Sequence, residues 1–341
     1  MENIIKINFD DFNKRLTDIL DAPNPIEASL YKDLLKSVNK IIVNENKNIR
    51  PKDKNNLSGG LIDLSNVEHK IIIVPDLHAR RDFVKRVINY NLDNKTILSK
   101  LEDNSVSIVF LGDGVHSEGE KAFERWKRAL REYQNDYEEC VHIKGEFSDS
   151  FNLMASIILL KIRYPNNIHF LKGNHENIKD EYKDGNYPFY KYVKEGEMIN
   201  CYFKKIYGEN LMEYYYKFEK NLPIFCISKN FVCSHSEPEI TFNREDIINY
   251  RNNGKLIESL TWYRSMKENK IANKIIEQFF STNKSNKIYY FVGHTHIKYD
   301  KTYSQVYNNE LIFINNMEKE IIAIIDPNND IILDRDILSL N

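Results

Sequence analysis

Residues 169 to 178 read HFLKGNHENI, an apolar run that ends in Gly173, Asn174, His175 and Glu176. The run has the content of a buried strand, and the residues behind it are polar and conformationally special rather than core-forming. Four other segments repeat the design: KIIIVPD (70–76), SIVFLGD (107–113), NFVCSHS (230–236) and IYYFVGHTH (288–296). Asp76 and His78, Asp113 and His116, Asn174 and His175, His235, and His294 and His296 all fall directly after a predicted strand. In layered α/β proteins, ligands and reacting groups gather at the carboxyl ends of strands, where loops vary without disturbing the core. Taken singly, DLH and GDG read as turns, His235 as a satisfied core histidine and GHTH as a weak metal signal. Taken in order, they read as one site. His69, His142 and His169 lack this setting and are assigned structural roles.

The remainder of the chain bounds what such a site serves. With 341 residues, 42% hydrophobic content, 12 glycines and 9 prolines, a compact globular protein is expected. A formal net charge of −2 gives no strong sign of nucleic-acid binding and no general attraction to an anionic membrane. The opening MENIIKINFDDFNKRL lacks the apolar stretch of a signal peptide, and no run approaches 18 apolar residues, so a soluble cytoplasmic protein without a membrane partner is expected. Cys140, Cys201, Cys226 and Cys233 form no CxxC pair and read as core thiols.

Residues 1–65 read as a helical N-terminal extension, with spaced apolar positions from Phe12 to Ile41 ahead of the charged loop NENKNIRPKDKNN (44–56). Residues 66–341 read as the catalytic domain. Within it, KAFERWKRALREYQNDYEE (121–139) places Phe123, Trp126, Leu130, Tyr133 and Tyr137 on one helical face. This stretch is either a helix packed on the scaffold or a lid. Residues 179–220 are rich in tyrosine and form either a helical cap or a surface for stacking a nucleobase. In the tail, ELIFINNM, IIAIIDP and DIILDRDI read as strands that would supply a second sheet.

Carboxylate and imidazole ligands together suit two divalent ions, manganese first and iron, zinc or cobalt as alternatives, in an open catalytic site. Two such ions lower the pKa of a bridging oxygen and clamp a phosphoryl group during in-line displacement. Asp113, between Gly112 and Gly114, is the natural bridging carboxylate.

The order D-x-H, G-D, G-N-H-E, H and G-H-x-H resembles the calcineurin-like metallophosphoesterase superfamily. LLKIRYPNNIHFLKGNHE (159–176) and NLPIFCISKNFVCSHS (221–236) are most similar to its serine/threonine phosphoprotein phosphatase branch. The resemblance covers residues from about 70 to 330. It implies a four-layer α/β/β/α sandwich of two mixed sheets flanked by helices, with the metals at one sheet edge. It further implies that Asp76 and His78 bind the first metal, that Asp113 bridges, and that Asn174, His235 and His294 complete the second site. His296 matches the last histidine of the wider superfamily and would join the first metal. His175 matches the general acid, and Glu176 would buttress the turn.

Two departures stand out. The family usually continues its bridging aspartate as Val-Asp-Arg-Gly, whereas this chain reads GDGVHSEGE (112–120). His116 therefore takes the place of the aspartate that orients the general acid, Ser117 replaces a phosphate-gripping arginine, and Glu118 is near enough to assist His175. Arg264 is the favoured replacement cation, with Arg80 and Arg81 as alternatives. In addition, Asp113 and Asn174 lie farther apart than in typical relatives, which puts an insertion at about 117–148.

The expected activity is that of a metal-dependent phosphoric ester hydrolase acting on phosphomonoesters, with phosphoserine or phosphothreonine in a protein, or a small molecule, as substrate. A metal-bridging hydroxide would attack, His175 would be the acid, and His116 and Arg264 would assist. A phosphodiesterase or dinucleoside-polyphosphate hydrolase is the alternative, and a non-catalytic scaffold a third reading.

Overall fold

The computed structural model describes residues 7–265, 270–280, 287–305 and 310–340. Two helices open it, α1 (Phe9–Asp21) and α2 (Ala28–Val43), followed by strands β1 (Leu61–Asp63) and β2 (Lys70–Val74) and helix α3 (Arg81–Asn89). A short hairpin, β3 (Asn91–Leu92) and β4 (Lys95–Thr96), leads to α4 (Ile97–Glu102), β5 (Val106–Phe110), α5 (Glu120–Gln134), α6 (Val141–Arg163) and β6 (Ile168–Phe170). Next come α7 (Glu195–Lys220), β7 (Phe225–Ile227), β8 (Phe231–Ser234), α8 (Arg244–Ile248), α9 (Gly254–Thr261) and α10 (Ile271–Phe279). The chain closes with β9 (Tyr289–Val292), β10 (Ser304–Gln305), β11 (Leu311–Phe313), β12 (Ile321–Ile325), α11 (Leu333–Asp336) and β13 (Ile337–Ser339). Among the described residues no helix is long and apolar enough to cross a membrane.

The strands form two mixed sheets, one of order β13-β12-β2-β5-β6 and one of order β1-β7-β8-β9-β11-β10. The period of two along each strand sorts side chains into three cores. Ile71 and Ile73 of β2 face the other sheet, where they meet a layer that includes Cys233, Phe291 and Ile312. Ile72 and Val74 face the opposite way, into a core built with α1 to α7. The outer face of the six-stranded sheet, including Phe225, Val232 and Tyr290, packs with α8, α9 and α10. The layers are therefore helix, sheet, sheet and helix.

Three local readings differ from expectation. The tail does not build a sheet of its own: β11 joins β9 in parallel, whereas β12 runs antiparallel to β2 and pairs with β13 in the other sheet. Within DIILDRDI, residues 333–336 are helical rather than extended. Local apolar pattern identifies strands but carries no information on which neighbour they choose. The stretch 1–65 contains more than helices, since Leu61 to Asp63 form an edge strand paired in parallel with β7.

The insertion helix α5 packs against α6, with Ala122, Trp126, Ala129 and Glu132 buried. Of the predicted face, Trp126 and Tyr137 are buried and Leu130 and Tyr133 pack against the same core, while Glu132 accepts the backbone N–H groups of His142 and Ile143, satisfying the open start of α6. Tyrosines of 179–220 enter the core in number. Tyr202, Tyr207 and Tyr215 surround Phe147 and Phe151 of α6 in edge and tilted contacts. Cys226 and Cys233 are buried free thiols, while Cys140 and Cys201 are only half-buried.

Candidate active site

Because β2, β5 and β6 are consecutive and parallel, the loops that follow them leave the five-stranded sheet on one side. Strands β8 and β9 are likewise parallel neighbours in the other sheet. The five loops meet where the two sheets meet, and they carry Asp76 and His78, Asp113 and His116, Asn174 and His175, His235, and His294. All eight are buried.

The loops brace one another. Leu77 and His78 donate their backbone N–H groups to the Asp113 carbonyl at 3.1 and 2.7 Å. His175 N–H donates to Asp113 Oδ1 at 3.0 Å, and His294 N–H donates to Asp76 at 3.0 Å. Asn315, which sequence reasoning passed over, donates to Asp76 Oδ2 at 2.6 Å. Glu176 accepts from the N–H groups of Asp113, Gly114 and Gly173 at 2.7 to 3.0 Å, so it does buttress the turn. A Cβ on Gly173 would come within 2.2 Å of Asp113 Oδ1, and one on Gly293 within 2.0 Å of Asp76 Oδ1. Only glycine allows both carboxylates their positions. His78, Asp113, His116 and His294 all have positive φ, between 43° and 63°. At roughly 1–2 kcal/mol each, such backbone persists only where surrounding bonds hold it.

Three overlapping groups place ligand atoms within 4.8 Å of one another: Asp76, His78 and Asp113; Asp113, His235 and His294; and His78, Glu118 and His175. His235 Nε2 lies 3.3 Å from Asp113 Oδ2, 3.0 Å from Asn174 Oδ1 and 3.1 Å from His294 Nδ1. His78 Nε2 lies 3.5 Å from Asp76 and 3.9 Å from Asp113.

The histidine tautomers test whether this set fits metal ions. His78 Nδ1 faces the His116 carbonyl at 3.2 Å, His235 Nδ1 the Leu111 carbonyl at 3.0 Å, and His294 Nε2 the Trp262 carbonyl at 3.1 Å. A carbonyl can only accept, so each of these nitrogens carries the proton and the opposite nitrogen turns a lone pair into the cluster. The donor set fits divalent ions.

Its electrostatics agree. Burial pushes His235 and His78 down, but Asp113 and Asp76 raise His235 to about 9, and Glu118, Asp76 and Asp113 raise His78 to about 8. Cations are what these carboxylates lack, and metal binding would displace those protons. Burial and neighbouring imidazoles instead push His116 down to about 3 and His175 and His294 below their ordinary range.

His116 Nδ1 and His175 Nδ1 are 3.1 Å apart, and His175 Nε2 points at Asp113 Oδ2 at 3.6 Å. Phe189 stacks on His116, with ring centroids 5.2 Å apart and planes 9° from parallel, and its centroid lies 3.7 Å from that of His175.

The other candidates divide. Arg264 Nη2 donates to the His294 carbonyl at 3.3 Å, at the edge of the cluster. Arg80 is committed to the carbonyls of Asp76, Leu77 and Asn316 and supports the loop from behind. Arg81 is not brought to the site, since its guanidinium binds the Ala22 carbonyl and Asp149. His296 does not join Asp76, His78 and Asp113; its Nε2 lies 3.0 Å from Glu118 Oε2. Glu118 is the larger surprise, as it faces His78 at 3.6 Å and His175 at 3.9 Å and belongs among the possible ligands. Burial raises its carboxyl, but His78, His296, His175 and Lys191 more than reverse this and hold it well below the carboxylate range. Its place behind Asp113 in an acidic loop was the only sequence signal.

Residues 69–298 match the family model described as calcineurin-like phosphoesterase. Among solved structures, the chain is similar to a protein serine/threonine phosphatase from Saccharomyces cerevisiae with similarity to human phosphatase PP5. The match has 12% identity and a TM-score of 0.57, and it covers 98% of this chain and 95% of that one. It is also similar to a cold-active protein-tyrosine phosphatase of a psychrophile, Shewanella sp., at 15% identity and a TM-score of 0.47, covering 83% of this chain and 82% of that one. At such identities the likeness concerns the fold. No curated protein sequence matches the chain.

Proposed function

Since the chain belongs to the calcineurin-like phosphoesterase family, we propose that it hydrolyses phosphomonoesters with the help of two divalent ions, phosphoserine and phosphothreonine being the first substrates to try. The observation that carries this reading is the convergence of Asp76, His78, Asp113, Asn174, His235 and His294, with three imidazole lone pairs turned inward by backbone carbonyls. Asp76 and His78 would hold one ion, Asn174, His235 and His294 the other, and Asp113 both. Bound there, the ions would supply an activated water and charge neutralisation at phosphorus.

The chain's own residues would do the rest. His175 carries its proton on Nε2 when Nδ1 accepts from His116 Nδ1–H, and that Nε2–H can protonate the leaving oxygen. Phe189 covers both rings and keeps water from competing for the shared proton. Arg264 is at hand for a phosphoryl oxygen.

The test is steady-state turnover of p-nitrophenyl phosphate beside bis-p-nitrophenyl phosphate, by protein stripped of metal and reloaded with manganese. Preference for the monoester supports the proposal. Preference for the diester overturns it in favour of a phosphodiesterase or dinucleoside-polyphosphate hydrolase, a reading that draws on Ser117 standing where relatives have arginine. No turnover of either ester by reloaded protein overturns catalysis on simple esters altogether.

A further inference from the structure

We infer that Lys191 is a phosphate-binding residue of this site, taking over the oxyanion contact of the arginine that Ser117 replaces; the inference rests on the phosphoesterase reading above.

Ser117 itself is turned away from that task. Its N–H and hydroxyl both bind Glu146, a fully buried carboxylate of α6, so the residue fastens the loop instead of presenting a charge. A cation must come from elsewhere. Arg80 and Arg81 are committed to the bonds described above, Arg125 beside Ser117 is held by Glu146 and Asp149, and Arg264 flanks the cluster beside His294. On the other side of the cluster, Glu118 faces the imidazoles of His78, His175 and His296.

Lys191 fills that side. Its Nζ lies 2.6 Å from Glu118 Oε2 and 3.5 Å from His296 Nε2. Glu118 in turn faces His78 and His175, so the ammonium stands one carboxylate away from both the first candidate metal position and the candidate acid. An ammonium has three donors, of which Glu118 Oε2 takes one and His296 Nε2, at 3.5 Å, a second, which leaves one for a phosphoryl oxygen. With the Lys191 side chain about 30% exposed, while that of Glu118 is only 6% exposed, the lysine forms the solvent-facing partner of the pair.

The placement is built, not incidental. Glu195, buried in the first turn of α7, accepts the N–H groups of Lys191 and Tyr192 at 3.0 and 2.6 Å. The Tyr192 hydroxyl accepts the Gly119 N–H at 3.1 Å, and Phe189 rests on His116. Residues on both sides of Lys191 are thus tied to the loop that carries Glu118. A phosphoryl oxyanion entering here would meet an ammonium already paired with Glu118, which offsets the repulsion from that carboxylate.

The experiment is calorimetric titration of inorganic phosphate into manganese-loaded wild type, Lys191→Ala and Lys191→Arg, with metal content and p-nitrophenyl phosphate kinetics measured on the same samples. Lys191→Ala is expected to weaken phosphate binding at least about tenfold, the effect of losing a hydrogen bond to a charged group. It should raise KM more than it lowers kcat and leave metal content unchanged, and Lys191→Arg should recover most of the affinity. Wild-type affinity in Lys191→Ala, or a loss explained by lost metal, overturns the assignment while the phosphoesterase reading stands. A wild type that neither binds phosphate nor turns over ester overturns both.

Discussion

His116 and His175 meet Nδ1 to Nδ1 at 3.1 Å, where relatives are expected to pair an aspartate with the histidine. Two imidazole nitrogens hold such a bond only with one proton between them. Among the described residues no partner reaches His116 Nε2, which is buried. His116 therefore orients its neighbour without an ion pair.

This pair separates acid from ligand. His175→Ala should lower kcat by about 10²–10⁴, the usual range for a positioned general acid, with bound metal unchanged by elemental analysis. His116→Asp should keep turnover within about tenfold of wild type, because a carboxylate would accept a His175 Nδ1–H and stabilise the imidazolium, whose Nε2–H still faces the leaving oxygen. Equal metal loss in His175→Ala would make His175 a ligand, as its place beside His78 and Glu118 allows.

Asp113 contributes its side chain to two of the three ligand groups and its carbonyl to the loop bearing His78. Asp113→Asn should lose metal and turnover together, measured on one preparation after dialysis. Retention of two metals per chain would show that another group bridges them.

Removal of metal should cost stability. Facing carboxylates and inward lone pairs exist in the folded chain only, so ions present at a hundredfold excess over Kd add about 2.7 kcal/mol each. Thermal melts with manganese and with a chelator should differ by several degrees, and an Asp113→Asn variant should show a much smaller difference.

Acid stability has a separate origin. Glu45 is buried between Arg50, at 2.7 Å, and Lys161, at 2.6 Å. Burial pushes its carboxyl up, but Lys161 and Arg50 more than reverse this and bring it down to about 2. A folded value below the ordinary 4.5 means stability is fully present above about pH 5 and is lost as pH falls toward 2, by about 3 kcal/mol in all. Glu45→Gln should flatten that part of the stability curve. It should also destabilise the protein near neutral pH by about 3–5 kcal/mol, since two cations lose their buried partner. Urea titrations at pH 7, 4 and 3 would show both effects.

The strand ends were legible in the sequence because a buried strand followed by Gly, Asp, Asn or His is a local pattern, and HFLKGNHENI carries it within ten residues. The direction of a long side chain is not local. Arg80 and Arg81 are adjacent, yet one braces carbonyls beneath Asp76 and the other reaches the α1–α2 turn. Lys191 and Phe189 escaped notice for the same reason, since the path of residues 187–195 is set by Glu195 and by contact with the 116–119 loop. The resemblance implied His296 as a ligand, and the G-H-x-H pattern carries no information on the neighbour its Nε2 has here, Glu118 Oε2 at 3.0 Å.

The short strand Leu61–Asp63 has a practical meaning for anyone who trims this protein. Shortening the chain to begin at residue 66 would uncover the outer edge of β7 along its length, leaving a row of unpaired amide and carbonyl groups that invites strand-to-strand association between molecules. It would also strip the side chains of Phe12, Leu16, Leu34 and Leu35 from the large helical core. Residues 1–65 thus cover one edge of β7 and complete the helical core.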